Sequence, residues 1–147
     1  RMFLEHNIKP SLMVLMVQKE VADRIARDKK ESLLSLSVKA FGNPKYILTV
    51  PNTAFIPAPK VDSAILLIDQ ISDQNFATIK NKEDFFCLIH AGFAQKRKMA
   101  LPNLKRAGYI EPEEKFNLCN VDPKSRSEDI TLEKWLCLVK NTQLGDL

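Results

Sequence analysis

No window of the chain reaches the run of about eighteen apolar residues that a membrane-crossing helix needs, and its first residues lack the charged, apolar, small-residue succession of a secretory leader. A globular protein of the cytoplasm is the expectation. Support for metal or disulfide chemistry is equally thin. Cys87, Cys119 and Cys137 are odd in number and widely spaced, form no Cys-x-x-Cys pair, and have only His6 and His90 for company. They are expected as ordinary buried thiols, with no metal site. Internal repeats and low-complexity segments are also missing.

What is present is enough apolar residue for one domain with a proper core or two small ones within 147 residues. The net charge of +4 matters less than its placement. From His90 to Ile110 there are five basic residues (Lys96, Arg97, Lys98, Lys105 and Arg106) and no acid. From Glu111 to Glu133 seven acids face only Lys115, Lys124 and Arg126. The basic run fits a phosphate backbone, although a charge run is usually a solvated face.

Along the chain, RMFLEHN reads as the end of an amphipathic helix, and an opening on Arg1 suggests a piece of something longer. SLMVLMVQ is a continuous apolar run of strand length, as expected for a parallel strand covered on both faces. KEVADRIARDKK and SLLSLSVKAF have helical spacing, the second stopping at Gly42. YILTVP and SAILLIDQ read as strands joined by a proline-rich loop, an antiparallel hairpin at a sheet edge. On this reading one parallel strand has no partner within the chain, so the sheet is expected to be incomplete. Residues 71–81 are polar and unpatterned and are expected to link two domains, 1–71 and 72–147. The remainder is helical in pattern, with Gly108 ending one helix, Pro112 opening another and Thr131 placed to cap the last. The fold class expected is α/β plus all-α.

The loop FIPAPKVDS carries the first functional argument. Pro57 and Pro59 fix their own backbone angles and push the preceding residues toward extended geometry, so 56–59 is a stiff spacer that holds Phe55 in place. An aromatic ring held at a strand end can stack on a flat base, a contact worth about 1–3 kcal/mol. Without more than the loop itself, a core residue beside prolines that protect a sheet edge is the commoner arrangement.

The wording of this loop goes further. VPNTAFIPAPKVDSAILLI resembles V-P-P-x-A-F-x-P-P-P-K-V-D-S of the KsgA/Erm family of rRNA adenine dimethyltransferases. VLMVQKEVADRIA is similar to the family's M-L-Q-K-E-V-x-x-R, LSVKAF to its L-S-V helix, GFAQKRK to F-x-Q-R-R-K, and SRSEDITLEKW to R-A-E-x-L-S-x-x-x-[FW]. The resemblance spans nearly the whole chain and implies the C-terminal half of such an enzyme: the tail of a Rossmann-like methyltransferase sheet domain followed by a small helical rRNA-binding domain. It also implies S-adenosylmethionine as the cofactor of the parent and small-subunit rRNA as its partner. The reaction implied is dimethylation of two adjacent adenines near the 3′ end of that RNA during ribosome biogenesis. The Q-K-E and P-K-V-D-S wording favours the KsgA branch over the Erm branch, which acts on large-subunit rRNA. A binding module without catalysis is the reading from another class.

The resemblance places Phe55, Pro57, Pro59 and Lys60 at the target-base pocket, with Ser63 starting the strand behind it and Asp62 in a local role. Lys96, Arg97 and Lys98 match the family's R-R-K and are expected to contact rRNA, extended by Lys105 and Arg106; Lys19 and Arg24 are expected as surface or ion-paired residues. The family's Gly-rich loop, acidic cofactor residue and Asn-Leu-Pro-Tyr motif do not occur in their places in 1–147, so no cofactor binding or catalytic residue is expected in this chain itself, and the chain alone is expected to be inactive. Asn43-Pro44-Lys45-Tyr46 copies the spacing of the amino-methyltransferase motif Asn-Pro-Pro-Tyr, yet it follows a helix end and enters the hairpin instead of ending a parallel strand. Met99, Leu101, Pro102 and Ala58 depart from the family pattern, and Pro102 is expected to shorten or kink its helix.

Overall fold

The computed structural model describes residues 10–76, 78–95 and 97–142. The expected helix end at RMFLEHN and the candidate Lys96 lie outside the described residues. The chain divides into two compact units, one of 1–29 with 34–74 and the other of 30–33 with 75–147.

The first unit is built on three strands, β1 (Met13–Gln18), β2 (Asn43–Val50) and β3 (Ser63–Asp69), in the order β1-β3-β2. Both pairings are antiparallel: β1 meets β3 with Leu15 opposite Leu66, and β2 meets β3 with Tyr46 opposite Leu66. This corrects the reading of β1. Its apolar run has a partner within the chain, β3, and the pairing is antiparallel, because strand hydrophobicity reports burial and carries no information on which strand lies alongside. Among the described residues, cover is seen on one face. One face, with Met13, Leu15, Val17, Ala64, Leu66, Ile68 and Tyr46, packs on Val21, Ala22 and Ile25 of helix α1 (Lys19–Ala26) and on Val38 of helix α2 (Leu33–Lys39). The other leaves Val14 59%, Met16 54% and Leu48 49% exposed.

Local chemistry explains the element ends. Asn43 to Tyr46, the look-alike of the methyltransferase motif, form the first half of β2, and Pro44 is tolerated there because β2 is an edge strand among the described residues. Gly42 turns the chain from α2 into β2 where a Cβ would lie 2.9 Å from the Asp69 carbonyl oxygen; close approach to β3, and not a left-handed backbone, is what requires glycine. Arg27 covers the Tyr46 ring at 3.5 Å from its centroid.

The second unit holds helices α3 (Ile79–Gly92), α4 (Ala100–Arg106), α5 (Pro112–Leu118) and α6 (Leu132–Asn141). The expected linker 71–81 is shorter than its polarity implied. Phe76 is buried edge-on against Phe85 with ring centroids 5.5 Å apart, and Ile79 to Asn81 already belong to α3. Thr78 caps that helix by accepting the Asn81 N–H at 3.1 Å, whereas Thr131 occupies the N-cap position of α6 without a side-chain bond. Pro102 lies in the first turn of α4, where a backbone N–H has no partner within the helix, so the helix runs on through it to Arg106.

The cysteines are not three buried thiols. Cys119 at the end of α5 and Cys137 on α6 form a disulfide with Cα atoms 5.8 Å apart, and Cys87 is exposed. The residues are 18 positions apart in sequence, and the packing of α5 against α6 closes that gap. Among the described residues no group of three or more His, Cys, Asp or Glu could hold a metal ion, and no helix is long and apolar enough to cross a membrane.

The two faces of the sheet predict unequal costs. Leu66→Ala, at the buried centre, should destabilise the chain by about 2–5 kcal/mol through transfer and cavity effects, and Leu48→Ala on the exposed face by about 0.5 kcal/mol or less. Urea unfolding followed by far-UV circular dichroism measures both; equal losses would mean that the outer face is also packed.

Candidate nucleic-acid interface

The loop between β2 and β3 is ordered by its own hydrogen bonds. Pro51 leads into a single 3-10 turn, Asn52–Ala54, with Ala54 N–H donating to the Pro51 carbonyl at 3.0 Å. Asn52 then makes three bonds: its N–H donates to Asp62 Oδ1 at 2.9 Å, its side-chain amide donates to the Pro59 carbonyl at 3.2 Å, and its carbonyl accepts the Phe55 N–H at 3.3 Å. Phe55 leaves the turn extended and half-buried, while Ile56, Pro57, Pro59 and Lys60 are exposed. Ser63 begins β3 opposite Gln18 and Val50.

Beside the loop, a cleft of about 600 Å³ is lined by residues that include Lys19, Asp23, Asn52, Lys60 and Asp62. Lys60 and Asp62 lie on it; Phe55, Pro57 and Pro59 are not among its lining residues. Lys19 is ion-paired with Asp23 at 2.8 Å, which raises the Lys19 ammonium and lowers the Asp23 carboxyl from their ordinary values. Arg24 pairs with Glu20 at 2.5 Å. The charges of α1 thus compensate one another and leave Lys60 as the cation contributed by the loop.

In the helical unit the basic run is held from behind. The Gly92 carbonyl, at the end of α3, accepts both Asn103 Nδ2 and Ser127 Oγ at 2.6 Å. Asn103 and Ser127 are buried, so these bonds satisfy donors that water cannot reach. Asn103 Nδ2 also reaches the Gln95 carbonyl at 3.4 Å, and Lys98 N–H donates to the same oxygen at 3.0 Å. A bridge then joins Met99 to Arg126, with Ala100 N–H donating to the Ser125 carbonyl at 2.9 Å. Arg97 and Lys98 are exposed on this pinned turn.

The remaining candidates divide. Lys105 is paired with Glu113, whose carboxyl it holds below its ordinary range. Arg106 is exposed at the end of α4. Arg126, exposed and bridged to the neighbour of Lys98, escaped sequence reasoning because it sits in an acidic run; its place in the SRSEDIT stretch was the available signal. Acids of that run are partly neutralised from elsewhere, with Lys30 bonded to Glu128 and 3.6 Å from Asp129. The helical unit also has a cleft of about 360 Å³ lined by Lys80, Asp84, Cys87, Leu88, Tyr109 and Val139 among others, where burial first, and then Cys87 and Asp84, push the Tyr109 hydroxyl up to about 12.

Gly92 makes the pinned turn testable. A Cβ there would sit 2.4 Å from Cη2 of the buried Trp135, so Gly92→Ala should destabilise the helical unit by about 1–3 kcal/mol, as overpacking of a filled core does. Thermal melting checks this; an unchanged midpoint would show that the indole yields without cost.

A family model described as "Ribosomal RNA adenine dimethylase" matches residues 1–144. The "Ribosomal RNA small subunit methyltransferase A" of Dehalococcoides mccartyi (strain ATCC BAA-2266 / KCTC 15142 / 195) is 41% identical over 145 residues, covering 95% of this chain and 50% of that protein. The protein of the same name from Bacillus pumilus (strain SAFR-032) is 34% identical over 143 residues, covering 90% of this chain and 48% of that protein. The chain therefore spans about half the length of these curated relatives. Among solved structures, the 23S rRNA methyltransferase ErmE matches 94% of this chain and 57% of its own at TM-score 0.68 and 19% identity. A dimethyladenosine transferase from Plasmodium falciparum matches 95% and 60% at TM-score 0.68 and 22% identity. At those identities the likeness carries the fold alone.

Proposed function

Because this chain belongs to the ribosomal RNA adenine dimethylase family, we propose that it is the portion of a small-subunit rRNA adenine dimethyltransferase that presents the target-base loop and grips the RNA. On this reading 1–71 is the tail of a Rossmann-like methyltransferase domain and 72–147 a helical rRNA-binding domain. The observation that carries the reading is the bonded loop: an aromatic residue leaves a hydrogen-bonded turn, ahead of a stiff proline spacer, at the end of a sheet strand. The relatives named for the small subunit favour that RNA over large-subunit RNA.

Phe55 would hold the target adenine by its face once the base leaves its stack, with Pro57, Pro59 and Lys60 shaping the wall. Arg97 and Lys98, with Lys96, Arg106 and Arg126, would contact phosphates and set the position of the RNA without reading its sequence. Lys105 contributes less, since Glu113 already offsets its charge.

The methyl donor of such an enzyme is S-adenosylmethionine, and the residues present here do not fit it. The cleft beside the loop has no glycine-rich turn, and the charges on its α1 side are paired with one another. This chain alone is expected neither to bind it nor to transfer a methyl group. Alignment of the base falls to the loop, so catalysis by these residues is positioning.

Two outcomes follow for the full-length enzyme carrying this sequence. Phe55→Ala should lower kcat about ten- to hundredfold, the worth of one base–aromatic contact, with RNA affinity changed less than about twofold. Steady-state kinetics beside filter binding separates the two; equal losses would point to a core role for the ring. Arg97→Ala and Lys98→Ala should weaken binding across RNA sequences and flatten the log–log salt dependence by roughly 0.7–0.9 per charge removed. A salt slope unchanged by the double variant would remove this turn from the RNA interface.

A further inference from the structure

We propose that Asp62 is a positioning residue for Phe55, acting through the backbone amide of Asn52; the proposal rests on the target-base reading of Phe55. Asp62 ties two segments to the start of β3. Its Oδ1 accepts the Asn52 N–H at 2.9 Å, and its carbonyl accepts the Lys19 N–H, the first amide of α1, at 2.9 Å. Asn52 passes the constraint on, to the Pro59 carbonyl at 3.2 Å and to the Phe55 N–H at 3.3 Å. Asp62, Asn52 and Phe55 are therefore linked by consecutive hydrogen bonds, and Pro59 is tied in from the other side.

The prolines cannot do this work. Pro57 and Pro59 stiffen the spacer after Phe55, but the direction in which Phe55 leaves β2 is set before them, at the 3-10 turn that Asn52 opens. A carboxylate accepting a backbone N–H is the stronger, charge-assisted kind of bond. Asn52 stands where the family stretch V-P-P-x-A-F has proline, a residue without an N–H to donate. Asn52 supplies by hydrogen bonding the rigidity that a proline ring supplies covalently, and Asp62 is the acceptor that makes the exchange possible.

The test uses the full-length enzyme carrying this sequence, labelled with 4-fluorophenylalanine and with the Phe55 resonance assigned by Phe55→Leu. Asp62→Ala should shift and broaden that fluorine signal alone and lower kcat about tenfold, the factor for one hydrogen bond to a charged group, with KM changed less than about twofold. Asp62→Asn, which keeps an acceptor oxygen without the charge, should restore the signal position and recover most of the lost kcat. In an Asn52→Pro background, where no N–H remains, Asp62→Ala should move neither. A Phe55 signal unmoved by Asp62→Ala, or moved equally in both backgrounds, overturns the proposal. A moved signal with unchanged kcat leaves the positioning intact and overturns the target-base reading instead. Should Asp62→Ala not fold, hydrogen exchange on the unsubstituted protein decides: the Asn52 amide should be protected at least about tenfold relative to Thr53, and an unprotected Asn52 refutes the bond.

Discussion

Strand β3 is the constraint on which the sheet unit depends. It is hydrogen-bonded on both sides, to β1 and to β2, and its buried residues Ala64, Leu66 and Ile68 alternate with half-buried ones. A strand with two partners and one covered face has a single register, because a slip of one residue would turn its apolar set outward. That register fixes Ser63, hence Asp62, hence the far end of the loop. The near end follows from the same pairing, since Val50 lies opposite Ser63.

The helical unit solves a similar problem with different parts. The turn carrying Arg97 and Lys98 has few apolar residues to bury, so hydrogen bonding from the buried side holds it, through one carbonyl that accepts two side-chain donors. Glycine at 92 lets the chain approach the indole closely enough for that carbonyl to reach Asn103 and Ser127. In both loops an amide or hydroxyl side chain, bonded to backbone, replaces the packing that an exposed segment cannot have. The exposed Arg97 and Lys98 and the half-buried Phe55 are thereby carried on hydrogen-bonded backbone, which under the proposed function would lower the ordering cost of binding RNA.

Much of this was legible in the sequence because it is local. Helical spacing and punctuation by Gly108 and Pro112 marked the helices within a few residues, and the apolar runs marked β1 and β3. The loop and the basic run were identifiable as words. What escaped was set by distance in space. An apolar run does not name its partner, so nothing local tells β1 from a parallel strand without one; Cys119 and Cys137 meet only once α5 packs on α6; Arg126 joins Met99 only through the bridge. Asn52 and Thr78 carry no local signal, because a short polar side chain reads alike as an exposed loop residue or as an anchor, and its bonds alone distinguish the two.

The contact between Gly92 and Trp135 has an optical consequence. Trp135 is the chain's one tryptophan, it is fully buried, and its neighbours Gly92 and Phe93 belong to the helical unit. Indole emission from this chain is therefore a signal from one unit, from a ring packed at Gly92, where α3 ends ahead of the turn of Arg97 and Lys98. The sheet unit and the loop of Phe55 are dark at those wavelengths. The molecule thus carries a built-in means of watching its basic turn separately from its aromatic loop.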